Sequence, residues 1–240
     1  MRLDLSWRAE DGLRLPMALW YPGPGYQMIS SGVLGGGLGP REWVLNVQVG
    51  TGYARTDPAA HLLELARGLG LSGPGIGLLT AAQVTDVVQR EDRGVHAAAT
   101  VGLRVPTWAA ARPGGPDREL APTDRDAWSR SADRDAWSRS GTINVIVSVP
   151  VPLADAAFVN AVVTATEAKT QAVLDAGFAG TGTATDAVCI AAPMDLAGAP
   201  AEEFTGPRSP WGARIARAVH AAVRAGAAGY AAALTGARPR

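Results

Sequence analysis

Residues 141–193 hold the densest set of side chains in this chain able to do chemistry. They read GTINVIVSVPVPL, then DAAFVNAVVTATEAKTQAVLDAG, then TGTATDAVCIAAP. In a strand that starts at Thr142, successive side chains alternate between faces. Ile143, Val145, Val147 and Val149 then make one apolar face. Thr142, Asn144, Ile146 and Ser148 make the other, which is polar at its loop end. A threonine hydroxyl can attack a carbonyl carbon, and an asparagine amide can hold the oxyanion that results. The competing reading is a β-branched strand residue beside a turn asparagine, and spacing alone does not choose between them.

The next segment adds Asn160, Thr164, Glu167 and Gln171 at i, i+4, i+7 and i+11, one helical stripe that faces either a polar cavity or solvent. Val159, Val162 and Val173 supply a separate apolar face. Lys169 is the single lysine among 22 basic residues, two positions past Glu167, so it points away from that carboxylate. Thr183, Thr185 and Asp186 then open another apolar strand. An aspartate there orients a base, binds a substrate hydroxyl, or caps a turn. His61, His96 and His220 are candidate general bases, but their spacing matches no zinc motif. Cys189 is the only cysteine, which excludes an intrachain disulfide and a cysteine-built zinc site; its apolar neighbours predict a buried, inert thiol.

The elements that must position these groups follow from periodicity and punctuation. Residues 1–21 read as one or two strands, with Leu13, Leu15, Met17 and Leu19 alternating toward one face. Strands at 28–34 and 43–49 flank the glycine-rich loop 35–39. That loop has neither the dinucleotide fingerprint nor the lysine of a phosphate loop; its expected use is close backbone approach to a bulky ligand. Ser30 and Ser31 before it lack a nucleophile elbow. Asp57-Pro58 predicts a helix start, with the aspartate capping free amides, and Leu62, Leu65, Ala66 and Leu69 as the buried face. Further strands are expected at 75–82, 94–103, 142–150 and 184–192, and helices at 154–176 and about 210–235. Residues 112–140 differ: charged, poor in aliphatics, and carrying a nine-residue duplication, DRDAWSRSA at 124–132 and DRDAWSRSG at 133–141. They read as a variable surface loop with Trp128 and Trp137 exposed.

These elements predict one domain over 1–240, of α/β (α+β) class, with a mixed β-sheet core and helices packed on it. Basic and acidic residues balance at 22 each, so no net field favours nucleic acid or an anionic membrane. No stretch approaches the roughly 20 apolar residues that cross a bilayer, and the N-terminus lacks the apolar core of a secretory signal. A cytoplasmic protein is expected, with monomer and homo-oligomer both open.

Several longer motifs, MISSGVLGGGLGPREWVLN, the DP-x-x-H of Asp57 to His61, GIGLLTAA, GTINVIVSVPVPL, NAVVTATEAKTQ, GTGTATDAVCIAAP and GPRSPWGARIARAVH, resemble the adenosylcobinamide amidohydrolase family over about residues 28–226. The resemblance implies hydrolysis of the amide between the aminopropanol arm and the corrin ring, with a corrinoid as the small-molecule partner. It implies no cofactor and no metal of the protein's own, because the cobalt belongs to the substrate. The resemblance carries over no residue roles; the residue types and their placement give the catalytic candidates Thr142, Asn144, Glu167, Lys169 and Asp186, and the substrate-binding candidates Ser31, Gly35, Gly36, Gly37, Asn46, Asp57, His61, Asn160 and Thr185. A looser resemblance over about 50 residues joins the order Gly-Thr, strand, Pro-Leu, helix, Asp, strand to self-cleaving ornithine acetyltransferases and related aminopeptidases. It implies a layered α/β/β/α fold and a Thr142 nucleophile freed by cleavage after Gly141.

Overall fold

The computed structural model describes residues 1–50, 53–110 and 141–234. The charged loop with its duplication, including Trp128 and Trp137, lies outside them. The described residues form two sheets. The first has four strands, β1 (Asp4–Glu10), β2 (Leu13–Trp20), β5 (Trp43–Gln48) and β6 (Gly75–Thr80), in the order β1-β2-β5-β6. The second has six: β3 (Tyr26–Ser30), β4 (Gly37–Pro40), β7 (Val88–Asp92), β8 (Val95–Val101), β9 (Ile143–Ser148) and β10 (Ala187–Pro193), in the order β4-β3-β10-β9-β8-β7. Each sheet contains one parallel pair, β5 with β6 and β9 with β10. A parallel pair needs a crossover. Helix α1 (Pro58–Gly68) lies on the first crossover and α2 (Asp155–Asp175) on the second; α3 (Pro210–Leu234) follows β10.

Three apolar clusters define the layers. Met17, Trp43, Leu45 and Val47 pack with Leu62 and Ala66 of α1. Val44, Ile76 and Leu78 of the first sheet meet Met28, Ala98, Ile146 and Cys189 of the second. Ala97, Ile143, Val145, Val147 and Ile190 pack with Phe158, Ala165, Ile215 and Val219 of α2 and α3. The order is therefore helix, sheet, sheet, helices, a mixed α+β fold. Burial of Cys189 between the sheets pushes its thiol up to about 12, so it is un-ionised and unreactive at neutral pH.

The differences from the periodicity have physical causes. The first 21 residues form two antiparallel strands, and Asp11 and Gly12 turn between them at φ 49° and 74°. That suits a two-residue hairpin whose central positions both need positive φ. The same device, Arg93 at 46° and Gly94 at 92°, joins β8 to β7, an outer strand whose VQRED sequence carries no apolar alternation. Strand β4 arises inside the glycine-rich loop, where GLGP pairs with β3. Asp57 stands at the start of α1, but its carboxylate does not cap the helix. It turns to Arg55 instead, at 2.9 and 2.7 Å. Val159, counted above in the apolar face of α2, is 54% exposed. The buried face is made by Phe158 and Val173 with Ala157, Ala161, Ala165, Ala168 and Ala172, alanines whose small side chains let α2 approach α3 and the sheet closely.

Candidate active site

The layer between the sheets changes character along its length. At one end of β5, β6, β8 and β9 the inward positions are taken by Asn46, Gln48, Thr80, Thr100, Thr142 and Asn144, all buried. Strand alternation puts each on the same side as an apolar neighbour that meets the facing sheet: Val44 before Asn46, Leu78 before Thr80, Ala98 before Thr100, Ile146 after Asn144. Buried polar groups persist where they bond one another. Asn144 donates from Nδ2 to Asn46 Oδ1 at 2.8 Å and to the Leu79 carbonyl at 3.0 Å. Asn46 Nδ2 donates to Thr100 Oγ1 at 3.1 Å. The backbone N–H of Val84 donates to Gln48 Oε1 at 3.0 Å, and that of Ala82 to Thr80 Oγ1, also at 3.0 Å.

Thr142 sits at the mouth of this polar end. Its Oγ1 is 2.6 Å from Thr185 Oγ1, which also donates to the Gly141 carbonyl at 3.3 Å. The backbone is closely packed against the segment after β8: a methyl group at Gly141 would overlap the Gly102 carbonyl. On the helix side of the same strand start lies a second cluster. Asp186 Oδ1 accepts the Ile143 N–H at 2.9 Å and the Thr183 hydroxyl at 2.6 Å. Asp186 Oδ2 accepts the Thr183 N–H at 3.1 Å and is paired with Lys169, both side chains being more than nine-tenths buried. A side chain at Gly182 would fill the space taken by the carboxylate and the ammonium. The carboxylate thus ties α2, the start of β10 and the residue after Thr142 into one unit.

The structure therefore brings together Thr142, Asn144, Lys169, Asp186, Asn46 and Thr185. Glu167 is exposed and lines an outer groove of about 270 Å³ between α2 and α3, with Thr164, Gln171 and His220. Asn160 lies half-buried a turn earlier on the helix, and Thr164 donates to the Thr205 carbonyl at 2.9 Å. The polar stripe thus borders a surface groove, one helix layer from Thr142. Gly35 and Gly36 have an internal reason to be glycine: a methyl at Gly35 would overlap the Gly75 carbonyl, and one at Gly36 would lie 2.6 Å from the Gly32 carbonyl. Gly37 is exposed and at positive φ, and the exposed Ser31 accepts the Val188 N–H at 3.1 Å. Gln48, Thr80, Thr100 and Thr183 belong to the site neighbourhood without having been singled out as candidates. The signal for the first three was there: each lies at even spacing from an apolar residue of the inter-sheet layer, Val44, Leu78 and Ala98.

Asp57 and His61 lie on the outer side of the first sheet. His61 is buried on α1, stacked on Tyr53 and bonded to its hydroxyl through Nδ1 at 3.1 Å; Nε2 stands 3.6 Å from Glu10. Burial is the largest influence on the imidazole and holds its pKa below the ordinary 6.5, with Arg55 and Arg8 acting the same way against Glu10 and Glu64. Burial lowers His96 likewise. Below about pH 6.5 the unfolded chain therefore binds more protons than the folded one, and stability falls as the pH drops toward the folded-state pKa values. The urea midpoint is expected to decrease between about pH 7 and about pH 5.5, and His61→Gln to make that decrease smaller. An identical decrease in the variant removes His61 as a contributor.

A layered fold of two facing sheets, with a hydroxyl nucleophile candidate at a polar mouth between them, suits hydrolysis of an amide. The sequence carries the class further. The family model of adenosylcobinamide amidohydrolases matches residues 4–234. A relative named adenosylcobinamide amidohydrolase, from Methanosarcina mazei, is 28% identical over 207 residues, covering 84% of this chain and 90% of its own. The chain belongs to the adenosylcobinamide amidohydrolase family. Among the described residues no helix is long and apolar enough to cross a membrane.

Proposed function

We propose that this chain cleaves the amide joining the aminopropanol arm of adenosylcobinamide to a propionate of the corrin ring. The products are adenosylcobyric acid and 1-amino-2-propanol, a corrinoid-salvage step in cobalamin biosynthesis carried out in the cytoplasm. Family membership over nearly the whole chain carries this reading. The corrinoid brings its own cobalt, and the proposed chemistry calls on no metal or cofactor held by the protein.

Thr142 Oγ attacks the amide carbonyl carbon, the hydroxyl proton passes to the leaving nitrogen, and the C–N bond breaks. This frees 1-amino-2-propanol and leaves an ester on Thr142, which water hydrolyses to the carboxylic acid. A base is needed for the first step. Among the described residues the hydrogen-bond partner of Thr142 Oγ1 is another hydroxyl, Thr185. In our reading the Gly141–Thr142 bond is cut in the mature protein, and the freed α-amine of Thr142 takes the proton. Thr185, already donating to the Gly141 carbonyl, polarises the bond to be cut. Lys169 and Asp186 act as positioning residues for the strand start, and Asn46 belongs to the mouth that admits the arm. Ser31 and Gly37 border the outside of the same sheet end, where the corrin fringe would rest.

Incubating the pure protein with adenosylcobinamide and following adenosylcobyric acid by mass spectrometry tests the reading. Product at catalytic turnover is expected. Tight binding without product would make the chain a corrinoid-binding protein instead.

A further inference from the structure

The side chain of Asn144 is oriented by its neighbours, and the orientation leaves one atom over. Both hydrogens of Nδ2 are spent on acceptors, Asn46 Oδ1 and the Leu79 carbonyl. Exchanging its oxygen and nitrogen would set Oδ1 against the Leu79 carbonyl, which can only accept, so the orientation is determined. Among the described residues, Oδ1 is then a buried acceptor with no hydrogen-bond donor, in a residue that is 1% exposed. A buried, unpaired carbonyl is costly, and a site that keeps one has a donor to offer it. Asn144 stands two residues from Thr142 on the same face of β9, within the polar end of the inter-sheet layer.

We propose that Asn144 Oδ1 receives the N–H of the scissile amide, and so selects a secondary amide over an ester or an N-substituted amide. The argument rests on the reading of Thr142 as nucleophile given above. A nucleophile approaches a planar amide at its carbonyl carbon, and the N–H projects from the neighbouring atom of that plane. An acceptor one strand pleat from the hydroxyl suits that donor. Since the Nδ2 hydrogens are engaged, Asn144 does not supply the oxyanion contact; its part is recognition of the leaving-group side. Asn46 is the positioning residue. By accepting from Nδ2 it holds the side chain in place, while the Leu79 carbonyl, which can only accept, fixes which atom of Asn144 is left over.

The test compares kcat/KM for adenosylcobinamide with that for the analogue in which an ester oxygen replaces the amide N–H. It uses full-length wild type, Asn144→Leu and Asn144→Ala. In wild type the ester meets an unpaired acceptor, a penalty that both variants remove. The ester-to-amide ratio is expected to rise at least about tenfold in the variants. The ratio is taken on one preparation, so partial loss of folded protein cancels. Should neither variant fold, wild type decides: the N-methyl amide of the same arm is expected to inhibit at least about tenfold more weakly than a non-cleavable secondary amide. A ratio, or an inhibition, unchanged within about twofold overturns the proposal and leaves Oδ1 to a bound water. If wild type does not turn over adenosylcobinamide at all, the functional reading falls instead, and the two failures are told apart.

Discussion

Thr142→Ala is expected to lower kcat/KM for adenosylcobinamide by on the order of 10³-fold or more, with little change in fold stability. Losing a nucleophile removes the covalent route altogether, and what remains is binding and polarisation. The structural cost is small, because the hydroxyl makes one hydrogen bond, to Thr185, worth about 1 kcal/mol. The two consequences are therefore separable on the same sample. Thr142→Ser keeps an oxygen in place and should retain much of the activity. Intact mass spectrometry adds a second readout: wild type is expected as two pieces parted between Gly141 and Thr142, and the alanine variant as one chain. Activity within about tenfold of wild type in Thr142→Ala would move the nucleophile elsewhere. A fully active wild type of uncut mass would keep Thr142 and remove its freed amine as the base.

The second large effect concerns the buried pair beneath the strand. Lys169→Met is expected to cost about 3–5 kcal/mol of stability, because it strands the Asp186 carboxylate in a water-poor layer. Hydrogen bonds from Ile143 and Thr183 remain, yet none supplies a full positive charge. Asp186→Asn should be similarly harmful by stranding the ammonium. The double variant is expected to lose less than the sum of the two, by at least about 1 kcal/mol, since neither charge is then alone. Urea unfolding of the four proteins measures this; strict additivity would mean that the pair is not coupled. Asp186 Oδ1 also holds the Ile143 N–H, so Asp186→Asn should lower kcat more than it raises KM, as expected when a nucleophile is displaced rather than a binding surface lost.

Much of this architecture was legible in the sequence, and the remainder fails for identifiable reasons. Ile143, Val145, Val147 and Val149 read as one face of a strand because they are β-branched and strictly alternating, and all four are buried against the helices. The same alternation correctly put Thr142 and Asn144 together. Lys169 and Asp186 lie 17 positions apart, and nothing in their spacing announces a pair; only the return of β10 alongside β9 brings them into contact. Asn46 and Asn144 are 98 positions apart and come from different sheets, so their bond is a property of sheet docking. Glu167 misleads in the opposite sense. It shares a polar stripe with Thr164, but a stripe reports a helix face and not what the face looks at. Strand β7 escaped because an outer strand with solvent on one side need not be apolar.

That 98-residue separation also says something about order in time. Closing a long loop is entropically costly and slow compared with local contacts. The Thr142–Thr185 and Lys169–Asp186 contacts lie inside one β-helix-β unit and need only residues 142–186. The bond that turns the Asn144 carbonyl toward the mouth needs Asn46, and with it the docking of the two sheets. The hydroxyl can be in place while the chain is still half assembled, but the group that reads the arm is aimed only when the whole fold has closed. Selectivity is in this sense the last property the molecule acquires.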